Sequence, residues 1–159
     1  MTDLKTIFVS EEMLGDLALE NADLATDDGL RTAVLLSLFS DARAKADDPL
    51  PGDPEDRRGW WGDAFPPAVD GAGLEGDRFG SRLWLLKREK IVPSVLARAK
   101  TYAEDSLAWL VQARIASGVI VVAEAQPGNR LALSVSIQRT GVAGIERRSG
   151  EMWEASYAL

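Results

Sequence analysis

Between residues 93 and 112 the large apolar side chains return at three- and four-residue steps. Val95, Leu96, Ala99, Ala103, Leu107 and Leu110 share one face, Tyr102 and Trp109 widen it, and Arg98, Thr101, Glu104, Asp105 and Gln112 take the other side. That period predicts one long amphipathic helix. Proline has no N–H to give and its ring clashes one turn back, so Pro93 belongs in a first turn and the start falls near Val92 to Ser94. Gly118 is the expected stop, just beyond Ile115 to Ser117.

The period then changes from helical to two-residue. Val119 to Ala125, a Gln126-Pro127-Gly128-Asn129 turn and Leu131 to Gln138 predict a β-hairpin, with Leu131, Leu133, Val135 and Ile137 alternating strictly against small polar residues. A loop over 140–150 and a third strand over 151–158, with Trp153, Ala155 and Tyr157 on one face, complete the chain. This last strand is expected at a sheet edge.

Upstream, residues 4–9 form a short apolar-rich run suited to an edge strand, and Leu17, Leu19 and Leu24 flank Glu20-Asn21-Ala22-Asp23, which reads as a hairpin turn. Thr26, Asp27 and Asp28 offer an N-cap oxygen and negative charge, predicting a shorter helix over about 28–43 with Arg43 and Lys45 at its C-terminal end. Its middle, Ala33 to Phe39, is apolar nearly all the way round, so this helix is either central to the core or turned in part toward another chain.

The long connection between the helices carries the unusual residues. Segment 46–57 sets Asp47, Asp48, Asp53, Glu55 and Asp56 among three prolines and a glycine; it lacks the ligand spacing of a calcium loop and reads as a solvated, mobile acidic loop. Arg57-Arg58-Gly59-Trp60-Trp61-Gly62-Asp63 follows, and two adjacent indoles in a loop must pack beneath it or against a partner. Gly71, Gly73 and Gly76 spell a formal G-x-G-x-x-G, yet no strand precedes it and no helix starts within it, so a flexible turn is the reading. The overall prediction is a single α+β domain over 1–159: an antiparallel β-sheet packed on one long and one shorter α-helix, with long Gly/Pro-rich loops.

Composition narrows the chemistry. The chain has no histidine and no cysteine, which removes imidazole bases, thiolate nucleophiles and the usual zinc ligand sets. Its carboxylates fall in loops or on polar helix faces, Ser81 has no base beside it in sequence, and no phosphate-binding loop is present. A net charge of −7 repels phosphate backbones and anionic membrane, and no apolar run approaches the ~20 residues of a membrane span. The expectation is therefore a soluble non-enzyme with no catalytic, metal or cofactor residues, binding neither nucleic acid nor membrane.

Three blocks carry a resemblance: Arg58-Gly59-Trp60-Trp61-Gly62-Asp63, then Gly80-Ser81-Arg82-Leu83-Trp84-Leu85-Leu86, then Tyr102 to Leu110 ahead of a hairpin. Together they resemble the Mu-like phage baseplate protein family, related to the baseplate wedge proteins of T-even phages and of type VI secretion systems. The resemblance covers about residues 17–138. It implies a virion structural protein of a contractile tail or related injection system, synthesised and assembled in the host cytoplasm: a wedge subunit of the multi-copy baseplate ring and a platform for sheath initiation. Implied partners are other wedge subunits, the tail sheath protein and the tail hub or tube. The wider group carries Glu-Pro-Arg after its long helix, where this chain has Gln112-Ala113-Arg114 and keeps the arginine alone. Arg114 has either an interface role or the ordinary one of a cation at a helix C-terminus. The partner-interface candidates are Trp60, Trp61, Asp63, Arg82 and Arg114, with Leu131, Ser134 and Ser136 of the hairpin as acceptor of an added strand. The alternative is a free-standing soluble ligand-binding domain or enzyme of the same architecture.

Overall fold

The computed structural model describes residues 3–9, 14–20, 23–24, 26–27, 30–65, 68–69, 72–73, 78–138 and 151–158. The chain begins with six short strands, β1 (Asp3–Leu4), β2 (Thr6–Val9), β3 (Leu14–Leu17), β4 (Leu19–Glu20), β5 (Asp23–Leu24) and β6 (Thr26–Asp27), all paired antiparallel as β1 with β6, β2 with β3 and β4 with β5. Residues 4–9 are extended as expected but divided at Lys5 between β1 and β2, and the predicted hairpin around Glu20 to Asp23 is β4–β5. Thr26 and Asp27 are a correction: they pair with Leu4 and Asp3 and do not cap a helix.

Helix α1 is shorter than its pattern, Arg31–Phe39, with Leu30 at the N-cap and no side-chain cap. It ends early because the chain turns extended at Ser40 to make a bridge with the distant Ser81. Ser81 N–H donates to the Ser40 carbonyl at 2.8 Å, Ala42 N–H to the Ser81 carbonyl at 2.9 Å, and Ser81 Oγ to the Leu38 carbonyl at 2.6 Å. Gly80 makes this crossing possible: its φ is +95°, and a Cβ there would lie 2.5 Å from the Ser40 carbonyl oxygen. Arg43 and Lys45 consequently lie in extended chain beyond α1. Val34 and Leu38 enter the core while Leu36 stays exposed, so the all-round apolar helix is buried on part of its circumference.

A 3₁₀ turn follows at Trp61–Ala64, then β7 (Ala68–Val69) paired with β8 (Ala72–Gly73), a small ladder where the glycine pattern read as a turn. Gly71 and Gly76 lie outside the described residues. A second 3₁₀ turn, Leu83–Leu86, is buried on every side, each of its four side chains being 2% exposed or less.

Helix α2 runs Pro93–Gln112 with Pro93 in its first turn and Val92 as an extended N-cap. Val95, Ala99, Tyr102, Ala103, Leu107 and Leu110 are buried; Leu96 and Trp109 pack at the margin. Its end differs from expectation. Arg114, at φ +59°, takes the left-handed position, Arg114 N–H donates to the Val111 carbonyl and Ile115 N–H to the Leu110 carbonyl. That paired bonding is a Schellman cap. Gly118 opens the next strand instead.

Strands β9 (Gly118–Gln126), β10 (Arg130–Gln138) and β11 (Glu151–Ala158) form an antiparallel sheet in the order β11-β10-β9. Leu131, Leu133, Val135 and Ile137 alternate inward from β10, joined by Val121 of β9, and pack with α2 and the Leu83–Leu86 turn in one core. Full burial of each such side chain is worth roughly 1.5–3 kcal/mol. The register sets Trp153 opposite Val135, Ala155 opposite Leu133 and Tyr157 opposite Leu131. The 140–150 loop lies outside the described residues. No described helix is long and apolar enough to cross a membrane.

Candidate interaction surface

The Gly-Trp-Trp-Gly-Asp block folds as a tight aromatic turn held from below. Trp60 lies against Phe79 with ring centroids 5.1 Å apart and against Trp61 at 5.5 Å. Gly62 makes room for it, since a Cβ there would sit 2.1 Å from the Trp60 ring. Asp63 Oδ1 accepts the Phe79 N–H at 3.2 Å and so ties the turn to the strand of chain leading into Gly80. Its other oxygen is buried with no hydrogen-bond partner among the described residues. Asp63 therefore acts inside this chain, shaping the turn.

What the turn presents outward is apolar. Trp60 is 42% exposed, Trp61 76% and Phe65 76%. Burying either of the last two would be worth roughly 3 kcal/mol, which the isolated fold leaves uncollected. Of the two readings that the sequence left open for the indoles, Trp60 is half under the loop and Trp61 is on the surface.

Beside the turn runs an open groove of about 440 Å³, lined by Ala42 to Lys45, Arg78, Gly80 to Arg82, and Tyr102, Asp105 and Ser106 of α2. The aromatic turn and the groove share a border. Arg43 packs against Gly59, where a Cβ would lie 3.0 Å from the Arg43 Cβ, and Arg78 directly precedes the Phe79 that supports Trp60.

Arg82 looks from the sequence like a partner residue, but its charge is satisfied within the fold. One guanidinium nitrogen donates to Asp48 Oδ1 at 3.2 Å, the other to Asp105 Oδ2 at 2.9 Å, and the group lies 4.5 Å from the Tyr102 ring centroid. Burial works against that charge, yet the bonds to Asp105 and Asp48 outweigh it and hold the Arg82 pKa above its ordinary value. The same contact pins the acidic loop. Lys45 N–H donates to Asp48 Oδ2, Arg57 reaches back to the Lys45 and Ala46 carbonyls, Arg58 pairs with Asp41 at 2.6 Å, and Leu50 packs on the core.

Arg114 projects from the left-handed cap of α2, exposed and with no ion pair among the described residues. Leu131, Ser134 and Ser136 are a correction as strand acceptors. They belong to β10, which is paired on one side with β9 and on the other with β11, so its ladder groups are already used. Leu131 is fully buried as well. Among the described residues the outer edges of this sheet are those of β11 and β9, and the β9 edge lies next to exposed Ile120 and Val122.

Phe65, Arg43, Lys45 and Arg78 did not stand out as sites. Phe65 lies within the same aromatic block, and the three cations come together only because Gly80 lets two distant segments cross. The β9 edge was concealed because Val119 to Val122 is apolar on both faces and shows no alternation.

The profile of the family described as phage protein GP46 matches residues 30–144. The chain is 47% identical over 125 residues to baseplate protein gp46 of Escherichia phage Mu, covering 78% of each sequence. It is 37% identical over 123 residues to the Mu-like prophage FluMu protein gp46 of Haemophilus influenzae, covering 77% of this chain and 76% of that protein.

Proposed function

The chain belongs to the phage protein GP46 family, and on that premise we propose that it is a structural subunit of a phage tail baseplate, working through surfaces and not through catalysis. The observation that carries this reading is the 47% identity to a Mu baseplate protein, which spans the aromatic turn's part of the chain and the core alike. The surface agrees with it. A subunit destined for burial in an assembly keeps apolar groups that an isolated protein would cover, and Trp61 and Phe65 are such groups.

The finer proposal is a wedge role in a contractile tail, with sheath growth begun by strand addition at the outer edge of β9. An open strand offers unpaired N–H and C=O groups, and an arm from a sheath subunit would satisfy them; the side chains at Ile120 and Val122 would set its register. The wedge neighbours and the tail tube or hub remain its proposed contacts in a multi-copy ring within the virion, assembled in the host cytoplasm.

The test is a proline scan over residues 119–123. Neighbouring residues of a strand send their N–H groups to opposite sides, so proline at alternate positions removes a donor from the β10 ladder or from the open edge. Variants that keep the wild-type circular dichroism should enter baseplates and fail to extend sheath. Full-length sheaths on every folded variant would refute strand addition at β9. Absence of the wild-type protein from purified particles would refute the baseplate role itself.

A further inference from the structure

We propose that the aromatic turn and the groove beside it form one docking surface for an acidic segment of another protein that carries a bulky apolar anchor residue; this rests on the baseplate reading above. Trp61 and Phe65 receive the anchor. Arg43, Lys45 and Arg78 receive the acids.

Charge supports this occupant. The chain as a whole is −7, yet this groove gathers Arg43, Lys45, Arg78 and Arg82 around a single carboxylate among the described residues, Asp105. Arg82 is consumed by Asp48 and Asp105. The other three have no ion pair among the described residues, and Arg43 spends one N–H on the Arg58 carbonyl at 3.3 Å. Like charges collected on the minority sign's side of an acidic molecule attract an acidic partner and repel a basic one. Aromatic side chains with adjacent arginines are also the composition of strong interface centres.

The acidic loop 46–57 of a second copy fits less well, because its one large apolar residue, Leu50, packs on its own core and its Asp48 is held by Arg82. That loop would bring charge without an anchor.

Two crosslinks on assembled particles test the idea. In wild-type particles a carbodiimide joins an amine to a carboxylate it already touches, and Lys45 should be found coupled to an Asp or Glu of another protein. In particles carrying Trp61→p-benzoylphenylalanine, photolysis should label the same segment, within a few residues of a Leu, Ile, Met or Phe. Arg43→Glu with Arg78→Glu should reduce either crosslink at least tenfold with the melting temperature unchanged. Crosslinks to a second copy of this chain or to a basic segment, or no crosslink from either position while the protein is present in the particles, would overturn the docking proposal and leave the baseplate reading standing. Absence of the protein from particles would overturn both.

Discussion

Removing the Arg82 guanidinium distinguishes an internal clasp from a partner contact, because the two roles predict opposite results in the free protein. In the fold, Arg82 and Asp48 side chains are 13% and 10% exposed, while Asp105 is 57% exposed. The hydrogen-bonded charge pair with Asp48 is therefore the dominant contact, worth about 1.5–3 kcal/mol for a bond to a charged group. The arm to Asp105 is screened by water and adds about 0–1 kcal/mol. Stacking over Tyr102 adds about 0.5–1 kcal/mol. Arg82→Ala should thus cost about 2–5 kcal/mol, which for a chain of this length lowers the melting temperature by roughly 4–20 °C.

Chemical denaturation of the wild type, Arg82→Ala, Asp48→Asn and the double variant measures the coupling directly. The double variant should lose distinctly less than the sum of the two single variants, since Asp48 is no longer stranded without its cation. Trypsin offers a second readout. Composition alone suggested a mobile 46–57 loop; with both ends fastened, mobility is expected at its exposed apex, 52–56, and cleavage after Arg57 or Arg58 should be slow until Arg82→Ala releases Asp48. A stability loss below about 0.5 kcal/mol, with unchanged cleavage, would refute the clasp and return Arg82 to the surface.

Trp84→Ala should cost roughly 3–5 kcal/mol, and Trp84→Phe should still cost about 1–3 kcal/mol by orphaning the Ala42 carbonyl that the indole N–H reaches at 2.8 Å; urea titration checks both. Trp61→Ala should leave the urea midpoint almost unchanged while lowering incorporation into particles. Gly62→Ala should displace the Trp60 ring and appear as a red shift in tryptophan emission, with an unshifted spectrum counting against the packing described. Arg114→Gly should raise stability by about 1 kcal/mol, because glycine bears the left-handed cap without strain; a simultaneous failure to assemble would show that the exposed guanidinium has an interface role.

Elements whose signal is periodic were legible in the sequence, and elements made by distant crossings were not. Pro93 marked the start of α2, and the alternation from Leu131 to Ile137 marked both the strand and its buried face. The end of α1 was missed because residues 40–42 are drawn away by Ser81, some forty residues on, and nothing in their own neighbourhood announces that bridge. The end of α2 was missed for a different reason: an arginine took the left-handed position where glycine is the usual signal. The candidate site divided in the same way. Adjacent indoles in a loop pointed to Trp61, but whether a charged side chain is free depends on what lies across from it, and Arg82 finds Asp48 thirty-four residues earlier. The hairpin was recognised while its open edge was assigned to the wrong strand, since β10 acquires a second neighbour only from the far C-terminal segment.

The two surfaces proposed for assembly use different chemistry, and helix α2 supports both. One side of α2 packs on β9 and carries the open edge; Tyr102, Asp105 and Ser106 of the same helix wall the cationic groove. A strand edge recognises backbone, so it accepts many sequences provided they extend in register. An aromatic turn beside cations that have no ion pair among the described residues discriminates by side chain. If the groove selects a fixed neighbour and the edge begins a polymer, damage to one should leave the other working: Trp61→Ala should lower the number of baseplates containing the subunit, whereas a folded proline variant at the β9 edge should leave that number unchanged and shorten the sheaths. Counting subunits and measuring sheath lengths in the same preparations separates the two. Sheath length tracking incorporation in both variants would mean that one surface serves both steps.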